Sequence, residues 1–428
     1  MTSAQKASGR GKPWRRVFYG WWMVAGLAVT EPVSWGVLVY AFAVLVVPMR
    51  AEFGWSIAQL NGAYTTGMAV SGLVAIPVGR LLARHGSRGV MTTGSLLGVV
   101  ALLAWAHVHS LVAFYAAFVL AGLSMAGTLY EPAFAVTAAW FTWHRARAVL
   151  VLTIAGGLSS TVFVPLTGLL VGAYGWRTTL VLLAGTLGLI TVPLHAGLLR
   201  RWPSDVGAHP DGHPADVQAP AQPDTDEGAV TRRASFRWFA LFLSSHTTAK
   251  LSVTATLVAY FTGRGYSLPR AALAAGAVGA FQVFGRMTCT ALQPSIPAQR
   301  TAILLFAAQA VALPVPLLTT GHGPAATAAI ITLVVFFGLG YGLPDLLRGT
   351  LLVDYYGADQ YPHINGIIAI FAVAARAAGP LLAGLGVAAF GSHSATLVGA
   401  AALTTLGAYA LHRAHRAHRA FTTEAAAD

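Results

Sequence analysis

Runs of about twenty apolar residues recur almost end to end through this chain, and that pattern restricts its fold more than any other feature. Each run is long enough to cross a hydrocarbon core of about 30 Å. Inside lipid the backbone N–H and C=O groups find no water, so only helices and closed barrels satisfy them, and continuous apolar runs select helices. Composition agrees: hydrophobic residues make up 56% of the 428 and charged residues only 10%, against about 25% in ordinary soluble domains. The chain therefore reads as an all-α polytopic membrane protein.

About twelve spans are expected. The first six cover residues 20–47, 57–80, 88–106, 110–140, 147–173 and 179–199. The second six cover 238–262, 268–291, 301–319, 324–353, 363–389 and 394–411. Between them, 201–236 is rich in Pro, Asp, His and Ala, too polar to bury and too irregular for a helix, and reads as a flexible linker. The expected organisation is a tail at 1–19, a six-helix bundle at 20–200, the linker at 201–236, a second bundle at 237–411 and a tail at 412–428. His209, Asp211, His213 and Asp216 in the linker read as solvated side chains, since nothing there fixes a metal geometry.

The net charge of +13 suggests nucleic acid until its placement is considered. With the N-terminus inside, the inner loops receive Lys6, Arg10, Lys12, Arg15, Arg16, Arg80, Arg84, Arg88, Arg145, Arg147, Arg200, Arg201, Arg232, Arg233, Arg237, Arg300, Arg413, Arg416 and Arg419. The outer side receives Arg50, Arg177, Arg264 and Arg270. This asymmetry is an orientation signal; it puts both ends and the linker in the cytoplasm and argues against a nucleic-acid partner. The apolar run after position 17 is too long for a cleavable leader, so the first span is expected to stay as an anchor. The single Cys289 excludes an internal disulfide framework.

A few charges fall within the spans. Glu31 and Glu131, each followed by a proline (Pro32, Pro132), are in the first half; Lys250, Arg286, Arg348 and Arg376 are in the second. A charge at mid-span costs roughly 3 kcal/mol against lipid, so such residues line a wet cavity or pair with one another. Proline removes an N–H and crowds the preceding turn, which kinks the helix there. Structural ion pairs that lock helices together are the alternative. Weak internal repetition fits two related halves: Gly54-Trp55-Ser56 resembles Gly265-Tyr266-Ser267, and Gly122-Leu123 with Trp140 matches Gly338-Leu339 with Tyr356 at one offset.

Gly79-Arg80-Leu81-Leu82-Ala83-Arg84-His85-Gly86-Ser87-Arg88, after the second span, resembles the cytoplasmic loop motif of the major facilitator superfamily, with Ala83 where that family has an acid. Gly79, Arg80, Arg84, Gly86 and Arg88 carry the likeness. Tyr19-Gly20-Trp21-Trp22 and Phe53-Gly54-Trp55-Ser56 are similar to its monocarboxylate and oxalate–formate antiporter-like branch. Gly285-Arg286 looks like that branch's span-eight arginine, which engages a substrate carboxylate; Gln282 stands one turn earlier, where eukaryotic monocarboxylate carriers have an acid. Arg376 lies in span eleven, about a turn from the branch's basic position. The resemblance covers essentially the whole chain and implies the major facilitator fold, two pseudo-symmetric six-helix bundles. Spans one, four, seven and ten would then line a central cavity with Glu31, Glu131, His246 and Lys250, and Asp345 and Arg348.

From the helical rise, Glu131 lies about 13 Å above Trp140, and Arg348 lies at a matching height above Tyr356, so these two are expected to approach across the interface. Arginine and lysine suit a carboxylate, which makes Lys250, Arg286, Arg348, Arg376 and His246 the candidate substrate-binding set. Glu31, Glu131 and Asp345 are candidates for proton coupling or gating. Trp35, Tyr40, Tyr130, Tyr260 and Tyr341 are available for an apolar wall. The expected function is secondary active transport of a small organic anion, a monocarboxylate, across the cell membrane of a bacterium by proton symport or anion exchange. The protein would work as a monomer in the bilayer, with no cofactor, metal or enzymatic activity. The alternatives are proton-coupled efflux of a hydrophobic or cationic compound and a non-transporting membrane sensor.

Overall fold

The computed structural model describes residues 18–207, 209, 211, 233–321, 323–356 and 361–424, and among them every regular element is helical. In chain order these are α1 (Tyr19–Trp35), α2 (Phe42–Phe53), α3 (Ile57–His85), α4 (Ser87–Ala106), α5 (Leu111–Thr128), α6 (Tyr130–Trp140), α7 (Arg145–Gly157) and α8 (Ser159–Leu198). There follow α9 (Ala234–Gly263), α10 (Leu268–Leu292), α11 (Ala298–Ala312), α12 (Pro324–Tyr341), α13 (Leu343–Tyr356), α14 (Tyr361–Phe390) and α15 (Ser394–Glu424).

Among the described residues ten segments are long and apolar enough to cross a membrane. One of them, Arg147–Leu198, is divided at Gly175, whose φ of 77° takes it out of the helical region. The 30-residue α9 falls outside this apolar set because Ser, Thr, His and Lys run through its middle. With that division and that addition the described residues form twelve spans, as the apolar pattern predicts.

Several spans are built from two pieces. In span one Pro32 leaves the helix continuous and the irregularity falls later, as a wide turn at Gly36–Tyr40, where the Ala41 N–H donates to Gly36 O at 2.8 Å. Span four breaks completely at Leu129 (φ −86°, ψ −162°), so Glu131 and Pro132 open the first turn of α6. There proline costs least, because that N–H has no intrahelical partner, and a carboxylate meets the positive end of the helix dipole. Span ten repeats this plan: α12 ends at Tyr341, Gly342 intervenes, and Pro344 and Asp345 lie in the first turn of α13. Span five breaks at Leu158 between α7 and α8.

One end of the molecule is shared and the other divided. A single apolar core joins Val37–Met49 and Phe114–Met125 of the first six spans to Val253–Phe261 and Leu333–Tyr341 of the last six. At the opposite end there are two separate cores, Met23–Leu27 with Trp140 and Leu152 in the first bundle, and Phe236–Leu243 with Leu347–Tyr356 in the second. The bundles meet most extensively along two lines, α3 with α14 and the first part of α8 with α10. Both are close-packed through small residues: a Cβ on Gly279 would lie 2.3 Å from Ser160 Oγ, and one on Gly384 would lie 2.9 Å from Ala58 Cα. In the first of these lines Asn61 Nδ2 also donates to Pro380 O at 2.9 Å.

The loop motif forms the tight corner between α3 and α4. Gly86 has φ +77° and its N–H closes on Leu82 O at 2.9 Å. Arg201 donates to Arg84 O, so a side chain from beyond span six caps the C-terminal end of α3. Arg80, Arg84 and Arg88 are exposed, and the motif is remote from the mid-span charges.

Asp211 corrects the reading of its segment as wholly solvated. Its carboxylate accepts the N–H groups of Thr142 (2.7 Å), Trp143 (2.6 Å) and His144 (3.3 Å) ahead of α7. Burial works to raise the Asp211 carboxyl, but these N–H groups and the His144 ring outweigh it and hold it below the ordinary carboxylate range. Lys6, Arg10, Lys12, Arg15, Arg16, Arg232, His213 and Asp216 lie outside the described residues, as does most of 201–236. The expected tail at 412 begins as a continuation of α15, which places His415 and His418 against Tyr355.

If the small-residue lines set the approach of the bundles, Gly279→Leu is expected to lower the stability of the purified protein by about 1–3 kcal/mol, since overpacking there forces the backbone at Thr161 aside. A thermal melt in detergent checks this, with the exposed Gly399→Leu as the control that leaves the midpoint unchanged.

Candidate functional site

The mid-span charges gather between the two bundles, on the side where their cores separate. Asp345, at the start of α13, is held by two cations of the second bundle. Lys250 Nζ is 3.3 Å from its Oδ2, and Arg286 Nη2 is 3.9 Å from the same oxygen. Glu131, at the start of α6, pairs with Arg376 of α14, Nη1 to Oε1 at 3.2 Å. Both carboxylates lie mid-span, yet their side chains are 54% and 46% exposed, against 12%, 16% and 27% for Lys250, Arg286 and Arg376. The carboxylates thus face open space between the bundles, and the cations stand behind them. The two pairs share one field: Lys250, Arg286, Arg376 and Arg348 all act electrostatically on Asp345.

Arg286 is the most heavily engaged of these cations. Its Nε donates to Gly342 O at 3.1 Å, in the gap between α12 and α13, and its Nη1 donates to Thr153 O at 3.2 Å, in the last turn of α7. One turn before it, Gln282 Nε2 donates to Gly157 O at the end of the same helix. Two interrupted spans from different bundles are therefore stitched by one guanidinium, which has the several donors in fixed geometry that the task requires. These carbonyl partners are invisible in a list of charged residues. The sequence signals that mark them are Gly156-Gly157 and Gly342-Leu343-Pro344, where helices stop.

Glu31 lies fully buried in α1. Trp35 Nε1 donates to its Oε2 at 3.1 Å, and its Oε1 has no hydrogen-bond partner. Trp35 packs on Tyr130 with ring centroids 4.9 Å apart, which links Glu31 to the residue preceding Glu131. Above the ionic cluster, toward the shared core, the hydroxyls of Tyr40 and Tyr341 approach to 3.4 Å across the bundles. Lys250 Nζ lies 4.9 Å from the centre of the Tyr341 ring, a cation–π contact that helps fix the ammonium. Tyr260 belongs elsewhere, beside Arg264.

Two expectations are corrected. Glu131 meets Arg376 and not Arg348, because helical rise predicts height along a span but not which side of the helix faces inward. Arg348 lies one turn beyond Asp345 on α13, half-buried. His246 does not join the cluster. It is fully buried, with Nε2 3.2 Å from Gln309 Oε1 and its ring 4.3 Å from that of Phe306, packed toward α11. Among the described residues no three His, Cys, Asp or Glu side chains form a group able to hold a metal ion.

The arrangement presents three cations, Lys250, Arg286 and Arg376, behind two more exposed carboxylates, Asp345 and Glu131. Comparisons with known proteins agree with the architecture. Rat (Rattus norvegicus) monocarboxylate transporter 13 is 28% identical over 167 residues, 39% of this chain and 39% of its own. Mouse (Mus musculus) monocarboxylate transporter 11 is 30% identical over 178 residues, 41% of this chain and 38% of its own. These matches therefore span about two fifths of the length of either relative. Among solved structures, a bacterial homolog to the human lysosomal transporter Spinster, inward-facing and occupied, superposes with a TM-score of 0.71 over 96% of this chain and 98% of its own. At 13% identity that likeness is one of fold. The profile of the Major Facilitator Superfamily matches residues 33–345, most of the chain, and this multi-pass membrane protein belongs to that superfamily.

Proposed function

We propose that this protein is a secondary carrier that moves a small organic anion, a monocarboxylate, across the cell membrane of a bacterium by proton symport or anion exchange. The observation that carries the reading is the Asp345 carboxylate in front of Lys250 and Arg286, with Glu131 in front of Arg376 beside it. A site built to hold its own carboxylates on fixed cations has the chemistry to hold another. The names of the two matched relatives support the same substrate class. In this reading the divided end of the molecule faces the cytoplasm, which agrees with the basic loops, and the cleft is open inward.

Glu31 is the residue best suited to carry a coupling proton. A buried carboxylate with one donor and one orphan oxygen gains little support for its charge, and it sits close to Glu131. Glu131 and Arg376 belong to different bundles, so their pair must part or re-form as the bundles rock, which makes it a gate.

The test is uptake into proteoliposomes from a panel of carboxylates, with and without an imposed pH gradient. Arg376→Gln and Arg348→Gln are each expected to cut initial uptake about tenfold or more, the loss that follows from removing a charged hydrogen bond worth about 1.5–3 kcal/mol. Unchanged uptake in both variants, with folded protein in the membrane, would overturn the reading. The gate gives a separate expectation. In a double-mutant cycle of Glu131→Gln and Arg376→Gln followed by thermal unfolding, the two changes should couple by about 0.5–3 kcal/mol, while a strictly additive result would mean that the pair does not form.

A further inference from the structure

We propose that Asp345 is a resident occupant of the substrate carboxylate's position, and that its charge restricts the site to singly charged anions. The inference rests on the carrier reading above and adds to it the valence of the substrate and the residue that sets it.

The cations at this position are held independently of Asp345. Arg286 spends Nε on Gly342 O and Nη1 on Thr153 O, leaving Nη2 directed at the carboxylate. Lys250 rests against the Tyr341 ring. Asp345 itself is loosely bound, at 3.3 Å from Lys250 and 3.9 Å from Arg286, where a tight charge-assisted pair closes to about 2.7–2.9 Å. It is also the most exposed of the three side chains. An anion arriving through the cleft meets Asp345 first and the cations behind it, so it binds by moving a short side chain aside and not by rebuilding the walls.

Charge then decides what fits. The two cations touching Asp345 carry two positive charges and Asp345 returns one, leaving one for a ligand. A monocarboxylate balances the position. A dicarboxylate brings a second negative charge beside Asp345, where like charges a few ångströms apart repel. The Glu131–Arg376 pair offers no relief, since its cation already has a partner. The position occupied by Gln282 leaves Arg286 without an acid on its own helix. Asp345 supplies that acid from span ten, at the mouth of a helix break, where the side chain can swing.

The experiment compares wild type, Asp345→Asn and Asp345→Glu in proteoliposomes, with lactate and pyruvate as monocarboxylate probes and malonate and succinate as dicarboxylate probes. Wild type should take up the monocarboxylates and discriminate against the dicarboxylates, and D345E, which keeps the charge, should show the same discrimination in whatever uptake it retains. In D345N the dicarboxylates should compete with lactate roughly ten- to a hundredfold better than in wild type. Adding Lys250→Gln to D345N should restore the discrimination, because it removes the charge that was released. Should D345N not transport, thermal shift of the detergent-purified protein reads the same property: succinate should stabilise D345N and not wild type. Wild type that takes up neither lactate nor pyruvate overturns the carrier reading for these substrates and this proposal with it. Wild-type uptake accompanied by unaltered discrimination in D345N, in transport or in thermal shift, overturns this proposal alone.

Discussion

Lipid offers no hydrogen bonds, and the arrangement of this molecule follows from that constraint at the places where its helices stop. A helix end leaves several N–H or C=O groups without partners, and in the hydrocarbon region irregular backbone persists only where protein or a water-filled cavity serves it. Spans four, five and ten are all interrupted near their middles. The C-terminal ends of α7 and α12 receive Arg286, and Gln282 adds a donor to Gly157 O. The N-terminal ends of α6 and α13 carry Glu131 and Asp345 in their first turns. Cations thus attend the carbonyl ends and carboxylates the N–H ends, as the helix dipoles favour. The ionic site is a by-product of the same breaks that would otherwise be intolerable.

This explains why the Glu-Pro doublets behave differently although they look alike. In span four the break precedes the doublet, so Pro132 falls in a first turn and Glu131 is released toward the cleft. In span one Pro32 sits deep in α1 and the helix yields only at Gly36, where Phe163 leaves no room for a side chain. Glu31 therefore stays within the packed wall with one oxygen unpartnered. Two identical dipeptides give one accessible and one enclosed carboxylate, and the accessible one finds a cation while the enclosed one does not.

The fold was legible from the sequence because lipid makes local composition decisive: the runs read as spans recur as long helices, and Gly175 divides one continuous apolar segment into two. The membership of the site was legible for a related reason, since Lys250, Arg286, Arg376, Glu131 and Asp345 are too costly to face lipid and had to meet one another. Their pairing was not. Rise along a helix is fixed, but the break at Leu129 and the gap at Gly342 reset the rotation of α6 and α13, so Glu131 turned to Arg376 while Asp345 took Lys250 and Arg286. His246 misled because one helical turn from Lys250 suggested a shared destination, whereas its ring turns to Gln309 and Phe306 on α11. Asp211 was misread because its partners are backbone N–H groups of Thr142 to His144, and backbone donors carry no residue signature.

The distribution of apolar cores bears on how such a molecule changes shape. The shared core at one end would have to be given up for the cleft to open there, and the separate cores at the other end would have to meet. The two seams between bundles need not come apart during that exchange, because close-packed small residues such as Gly279 against Ser160 and Gly384 against Ala58 allow rocking about a line without opening a void. Contacts that cross the seams through long polar side chains are different in kind. Arg286 to Thr153 O, Gln282 to Gly157 O and Arg376 to Glu131 connect the bundles at the level of the ionic site, and in the proposed reading each depends on a group that a bound anion would also engage or perturb. On the carrier reading proposed above, movement of the bundles and occupancy of the site would be tied through the same few donors.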